Sequence, residues 1–430
     1  MKDVKYALHD NDLYDYHRIQ EKLTRMAAEG WHLEKIGSLA WQFRRGEPKQ
    51  VRYAVTYAPS ASAFNSRPTE AEEDLSDLCA QAGWIRVANM AQLHVYRNDD
   101  PDAVPLETDE GERLKTIRRS MKKQFFPTEI LLIAIFLMQF FMHFYTMTRS
   151  PSRTLSSPMM VSTLVICLFV AVIHVVMALN GLVWLRRAQR SVDNGESIPV
   201  NRFYRRFRWV IWVFLIGYLL CLLWMVGLGF FSWVLITSAA VLFVTAGGIA
   251  LCKKLNAPKW VNMVVPAGLC AAVIAVLVPI LIFSLDAGIL DEAPPQTENL
   301  PLTLSQLTGE TDTERLTIDV SGSPLLSHGR YYDFGAANEI QYTIVDVHCP
   351  LFYDMVLNEQ EQHVIRYSHY SAMPEVSELA AIFDAEYARR AVTNMGDRLL
   401  ICWDERIVFF YADWILTDDQ LAVLTDILKP

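Results

Sequence analysis

Apolar positions along this chain follow two rhythms. Between residues 126 and 285 they run almost unbroken, and on either side they recur with the spacing of amphipathic helices and half-buried strands. A helix needs about 20 predominantly apolar residues to cross a bilayer. Five stretches meet that length: 126–147, 159–185, 209–230, 233–252 and 260–285. The third and fourth form one long apolar block. Gly227, Gly229 and Ser232 mark the turn expected between them, because a single helix of that length would overshoot the bilayer. The pattern predicts a multi-domain membrane protein in which a five-helix transmembrane bundle over 126–285 is flanked by two α+β domains.

Residues 1–106 make the first of these domains. Tyr16, Ile19, Leu23 and Met26 share one helical face, and Gly30 follows as the helix-ending residue. Strands are expected over 31–36, 40–44 and 51–57; in the last, Val51, Tyr53, Val55 and Tyr57 alternate with more polar residues. A second helix over 70–82 ends at Gly83, and strands around Ile85 and His94 complete the domain. The halves read as a duplication: Gly30-Trp31 precedes Phe43-Arg44 by the same interval that separates Gly83-Trp84 from Tyr96-Arg97. Coincidence is the alternative, since helix–Gly–strand is common. Two helix–hairpin units on one sheet would give a ferredoxin-like or related sandwich, with Trp31 and Trp84 both in its core.

Residues 107–125 form a basic amphipathic connector. Leu114, Ile117, Met121 and Phe125 make its apolar stripe, and Arg113, Lys115, Arg118, Arg119, Lys122 and Lys123 occupy its other sides. It reads either as a surface helix whose basic residues face anionic lipid or as a plain extension of the first span whose charges set topology. Beyond the bundle, 286–313 reads as a linker around Pro294-Pro295, and 314–430 as an acidic α+β domain. Its expected elements are strands over 315–320 and 340–347, a helix over 374–390, and a hairpin of 398–403 with 406–412. A capping box from Thr417 to Gln420 opens the last helix.

Charge orients this scheme. Residues 286–430 hold 25 acidic and 8 basic residues, while the whole chain is at −9. The basic residues of the front part cluster beside apolar segments, which points to a bilayer and not to direct nucleic-acid binding. They fall in every second loop, so the N-terminal domain is expected in the cytoplasm and the C-terminal domain outside the cell membrane. Residues 1–12 carry no apolar core, so no cleavable signal peptide is expected. If the C-terminal domain is outside, Cys349 and Cys402 are candidates for a disulfide; the alternative is that Cys402, between Ile401 and Trp403, is a small buried residue.

Motifs for chemistry are few. No Walker A loop, HExxH, GxSxG or GxGxxG stands in a credible context, and the cysteines make no zinc spacing. His328, His348, His363 and His369 are scattered, and no cofactor or metal is expected. His174 and Asn180, inside the second span, are the candidate intramembrane polar site. These observations favour a non-enzymatic sensor, signalling or regulatory membrane protein linking an outer domain to a cytoplasmic partner. The competing reading is a transport-related component or membrane-embedded enzyme with a site near His174 and Asn180.

The run Met26-Ala27-Ala28-Glu29-Gly30-Trp31-His32-Leu33 resembles the signature of a bacterial family, domain of unknown function 2812. Phe43-Arg44-Arg45-Gly46-Glu47-Pro48, Val51 to Tyr57, Ala82-Gly83-Trp84 and Thr108-Asp109 resemble its later blocks, in order. Gln92-Leu93-His94-Val95-Tyr96 is more polar than the family pattern. The resemblance covers the first quarter of the chain and implies architecture, since the family has no assigned activity. It also implies membrane lipids as surroundings and a cytoplasmic regulatory partner, a transcriptional regulator of the PadR type being often encoded beside such proteins.

Overall fold

A computed structural model describes the chain except for residues 1–2, 9–13, 38–39, 63–64, 66–67, 202, 287–299, 310–312, 369–374 and 394–395. The linker prolines Pro294-Pro295 and His369 lie outside the described residues. The chain divides into two compact units. The first holds residues 1–135, 170–221 and 230–283; the second holds 136–169, 222–229 and 284–430.

The first unit opens with β1 (Val4–Leu8), α1 (Tyr16–Ala28), β2 (Trp31–Ile36) and β3 (Ala40–Arg45). Then come β4 (Arg52–Tyr57), α2 (Glu70–Gln81), β5 (Ile85–Met90) and β6 (Leu93–Asn98). The strands make two three-stranded antiparallel sheets, ordered β1-β3-β2 and β4-β6-β5. Each half is therefore a βαββ unit whose third strand sits in the middle. The halves match in finer detail. Gly30 and Gly83 end their helices at φ 83° and 79°, a left-handed conformation that a Cβ disfavours. The β2–β3 register slips between Leu33 and Lys35, and the β5–β6 register slips between Arg86 and Ala88. Each slip begins two residues after the helix-following Trp.

The single ferredoxin-like sheet expected from the sequence is thus two sheets. β2 and β5 lie alongside each other but exchange no ladder. These are the two bulged strands, and a bulge leaves groups unpaired and twists its strand out of line.

After this domain come α3 (Glu110–Ser120), a π turn (Met121–Phe125), α4 (Phe126–Arg149), α5 (Pro151–Ser156) and α6 (Pro158–Asp193). Next are α7 (Phe203–Lys254) and α8 (Lys259–Asp286). The expected five-helix bundle is not what forms. Among the described residues two helices are long and apolar enough to cross a membrane: the one running Glu110–Arg149 and α6. The turn expected at Gly227, Gly229 and Ser232 is absent; α7 continues through it for 52 residues. That is roughly 78 Å at 1.5 Å per residue, far beyond a bilayer core of about 30 Å. Glycine costs a helix only about 1 kcal/mol, and no Pro, Asn or Asp stands there to stop it. The apolar described parts of the third, fourth and fifth expected spans, Trp209–Leu220, Ala239–Cys252 and Lys259–Val273, are each shorter than a span.

The second unit continues with α9 (Leu304–Thr308), β7 (Thr313–Gly322), β8 (Leu326–Gly335) and β9 (Glu339–Val347). Next are α10 (Tyr353–Ser368), α11 (Ser377–Phe383), β10 (Tyr387–Thr393), β11 (Gly396–Cys402), β12 (Arg406–Ala412) and α12 (Asp418–Leu428). Six antiparallel strands form one sheet, ordered β10-β11-β12-β9-β8-β7. Alternation along β12 sends Val408 and Phe410 to one core with α9, α11 and α12, and Ile407 and Phe409 to another with α10 and α5. Two expectations change here. Leu300, Leu302, Leu304 and Leu307, read as linker, are core residues. The helix expected over 374–390 ends at Phe383, where Asp384 turns left-handed at φ 48°, and the chain continues as β10.

Candidate functional site

A largely buried polar network stands where the N-terminal domain meets α3. Asp109 caps α3, accepting hydrogen bonds from the N–H groups of Gly111 and Glu112. One helical face then carries Leu114, Ile117 and Met121 into the core formed by Tyr16, Ile19, Leu33, Phe43, Tyr57 and Val95. Trp184, Ala188 and Ile198, from α6 and the loop after it, enter the same core. Gly181 of α6 lets the backbone approach closely, since a Cβ there would lie 2.7 Å from Phe125 Cε1.

Arg113 sits within this junction at 8% exposure. Its Nε donates to Glu107 Oε2 at 2.8 Å, and its Nη1 donates to Glu110 and, at 3.1 Å, to the Tyr16 hydroxyl. The guanidinium also stacks over the Tyr16 ring, 4.5 Å from its centroid. Tyr16 in turn donates to Glu110 Oε2 at 2.9 Å, and that oxygen accepts from the Ile198 N–H at 3.3 Å. Burial, the leading cause, pushes the Tyr16 hydroxyl well above its usual range. Of the basic connector residues, Lys115, Arg118, Arg119, Lys122 and Lys123 are exposed, whereas Arg113 is buried in this network.

His174 and Asn180 are not brought together. They are six residues apart on α6, about 240° around a helix of 3.6 residues per turn. His174 Nδ1 lies 2.8 Å from Glu129 Oε2, near the start of α4. Asn180 instead lines a separate cavity of about 570 Å³ with Trp184, Arg187 and Pro199. The Glu129 partnership is invisible in the sequence because it needs the α4–α6 packing; the presence of one carboxylate and one imidazole in neighbouring apolar stretches was the only hint.

In the second unit, α5 is built into the sheet domain. Leu155 is buried with Leu326, Val345 and Val356. The Ser152 N–H donates to Glu359 Oε2 at 2.8 Å, Ser321 Oγ bonds Ser156 Oγ at 2.7 Å, and Ser323 Oγ donates to the Leu155 carbonyl. Burial raises the Glu359 carboxyl, and the Ser152 contact partly offsets that. Cys349 and Cys402 are free thiols. Cys402 belongs to β11 and Cys349 follows β9, with β12 between them. Two strand spacings make roughly 9.6 Å, beyond the roughly 7 Å limit for a disulfide. No group of three or more potential metal ligands occurs among the described residues.

The fold and this junction define a protein whose N-terminal α+β domain is built into the base of two helices long and apolar enough to cross a membrane. Residues 15–128 match the family described as Protein of unknown function (DUF2812), the family that the first-quarter motifs resemble. The matched segment runs from the cap of α1 into the first residues of α4, so it includes α3 and the π turn as well as the domain. No curated protein and no solved structure matches the chain.

Proposed function

We propose that this is a non-enzymatic membrane regulator. A state of the C-terminal domain is passed through the apolar helices to the N-terminal domain, which acts on a cytoplasmic regulatory protein. The observation that carries this reading is the shared core of the N-terminal domain with α3 and α6. Close-packed interiors transmit displacement, so α6 cannot shift or rotate without disturbing α1, β3 and β6. The embedding of α5 in the second unit's sheet supports the same reading from the other end of α4.

Under this proposal the N-terminal domain is cytoplasmic, and α5 lies outside with the C-terminal sheet. Lys115, Arg118, Arg119, Lys122 and Lys123 precede α4, and Arg186, Arg187 and Arg190 close α6; only Arg149 and Arg153 lie between them. Membrane lipids surround α4 and α6, and a PadR-type regulator is the partner that the family resemblance suggests. Reporter fusions at residues 101 and 153 test the orientation: an outer-side signal at 101 would reverse it. Hydrogen exchange of the full chain in lipid nanodiscs, with and without the purified regulator, tests the partner. The expected result is slowed exchange within residues 1–106; saturating regulator with no protection there would remove the partner from the proposal.

A further inference from the structure

Within the first unit, a cleft of about 570 Å³ lies between α6 and the chain that leads into α7. Val176, Asn180, Val183 and Arg187 line it from α6, and their spacing of three and four residues keeps them on one helical face. Pro199, Val200, Asn201 and Phe203 line it from the other side. Two hydrogen bonds fix that second wall. Trp184 Nε1 donates to the Pro199 carbonyl at 2.8 Å, and the Asn201 side chain accepts from the Phe203 N–H at 3.2 Å.

The α6 wall carries its charge at one end. Arg187 closes it, and Val176 lies eleven residues earlier, roughly 16 Å along the helix. Leu179, Val183, Val200 and Phe203, all lining residues, are apolar side chains left exposed. Neither Arg187 nor Asn180 has a hydrogen-bond or ion-pair partner among the described residues. No Asp or Glu is among the residues lining the cleft. The surrounding segment 186–208 carries seven arginines against Asp193 and Glu196. An occupant that suits this cleft is therefore negative at the Arg187 end and apolar along the rest.

We infer that the cleft holds one anionic phospholipid of the surrounding bilayer. Its phosphate accepts from the planar fork of Arg187, the Asn180 amide donates to an ester carbonyl, and an acyl chain packs along Val176, Leu179, Val183 and Phe203. A metal ion would find no carboxylate, and a small anion would leave the apolar wall in water. A zwitterionic lipid would bring its ammonium to a cleft with no acid to receive it. The inference rests on α6 crossing a membrane, as proposed above, and not on the regulatory role.

Native mass spectrometry of the full chain in micelles, supplied with equal amounts of phosphatidylglycerol and phosphatidylcholine, tests it. Retention of one phosphatidylglycerol per chain is expected. Arg187→Gln should weaken that retention about tenfold, the difference that a hydrogen bond to a charged group supplies. Arg186→Gln makes the same change of charge about 100° around α6 and should leave retention as it is. Val183→Trp fills the exposed wall and should exclude the lipid with Arg187 and the melting temperature unaltered. Equal retention of the two lipids, or equal losses in Arg187→Gln and Arg186→Gln, would overturn the inference and leave the membrane reading standing. A chain that stays in solution without detergent would overturn both. A lipid-free dimer that Val183→Trp converts to monomer would give the cleft to a second copy of the chain instead.

Discussion

Arg113 Nε lies 2.8 Å from Glu107 Oε2, and the same guanidinium bonds Glu110 and Tyr16. This places a buried cation at the point where domain and helix meet. Removing one partner of a buried ion pair costs roughly 3–5 kcal/mol, because the remaining charge is left uncompensated. Arg113→Met should therefore destabilise the N-terminal domain by that order, and Arg113→Lys should recover little, lacking the planar fork. Denaturant unfolding of the full chain in micelles measures it; an unchanged first transition would show that the network contributes nothing.

Trp31 and Trp84 should respond differently to truncation, although they occupy equivalent places in the two halves. Trp84 is 1% exposed, packs with Ala54, Cys79 and Tyr96, and donates through Nε1 to the Val104 carbonyl. Trp31 is half-buried, with Lys5 and Arg45 against its ring. The expectation of two core tryptophans holds fully only for Trp84. Trp84→Ala should cost roughly 3–5 kcal/mol, and Trp31→Ala clearly less. Equal losses in thermal melting would refute the distinction.

His328 gives the C-terminal domain an acid-sensitive component. It is 4% exposed, and burial first, then Arg330 and Arg153, pull its pKa down to about 4 against a partial rise from Asp319. The folded state thus binds a proton less readily than the unfolded one. The contribution is complete above about pH 6.5 and is lost as pH falls toward 4, in total about 3 kcal/mol. Melting of the full chain from pH 7 to 4.5 should show this fall, and His328→Gln should flatten it. A parallel slope in the variant would assign the acid sensitivity elsewhere.

Thiol labelling should separate the two cysteines of the second unit. Burial pushes the Cys402 thiol up to about 12, while Cys349 is half-exposed. A maleimide should modify Cys349 in native protein and Cys402 only after denaturation, both without reductant. Recovery of a peptide linked through the two sulfurs would contradict the strand order.

Local signals in the sequence reached some of this fold and not the rest. The interval from Gly30-Trp31 to Phe43-Arg44, repeated 53 residues later, reflects a physical equivalence, since the bulges and left-handed glycines recur with it. The capping box at Thr417 and Gln420 opens α12 as read, because a cap is a short-range object. At 227–232 the apolar residues permit both a hairpin and a continuous helix, and length alone argues for the turn that α7 does not make. Val376, Leu379 and Ile382 suggested a long helix; Asp384 in the left-handed region ends it after two turns. β8, with glycine and paired tyrosines, alternates too weakly to be read as a strand before its neighbours are known. Glu129 and His174 required a tertiary contact across 45 positions.

The π turn at Met121–Phe125 carries one more residue per hydrogen-bonded ring than the α-helix on either side. Deleting Gln124 would let α3 and α4 fuse in regular geometry and rotate everything beyond by about 100°. Glu129 would swing away from His174, and Phe125 would leave the notch at Gly181, although no side chain at either contact had been altered. Chain length across these five residues, more than the chemistry of any one of them, sets the angular phase in which α4 meets α6.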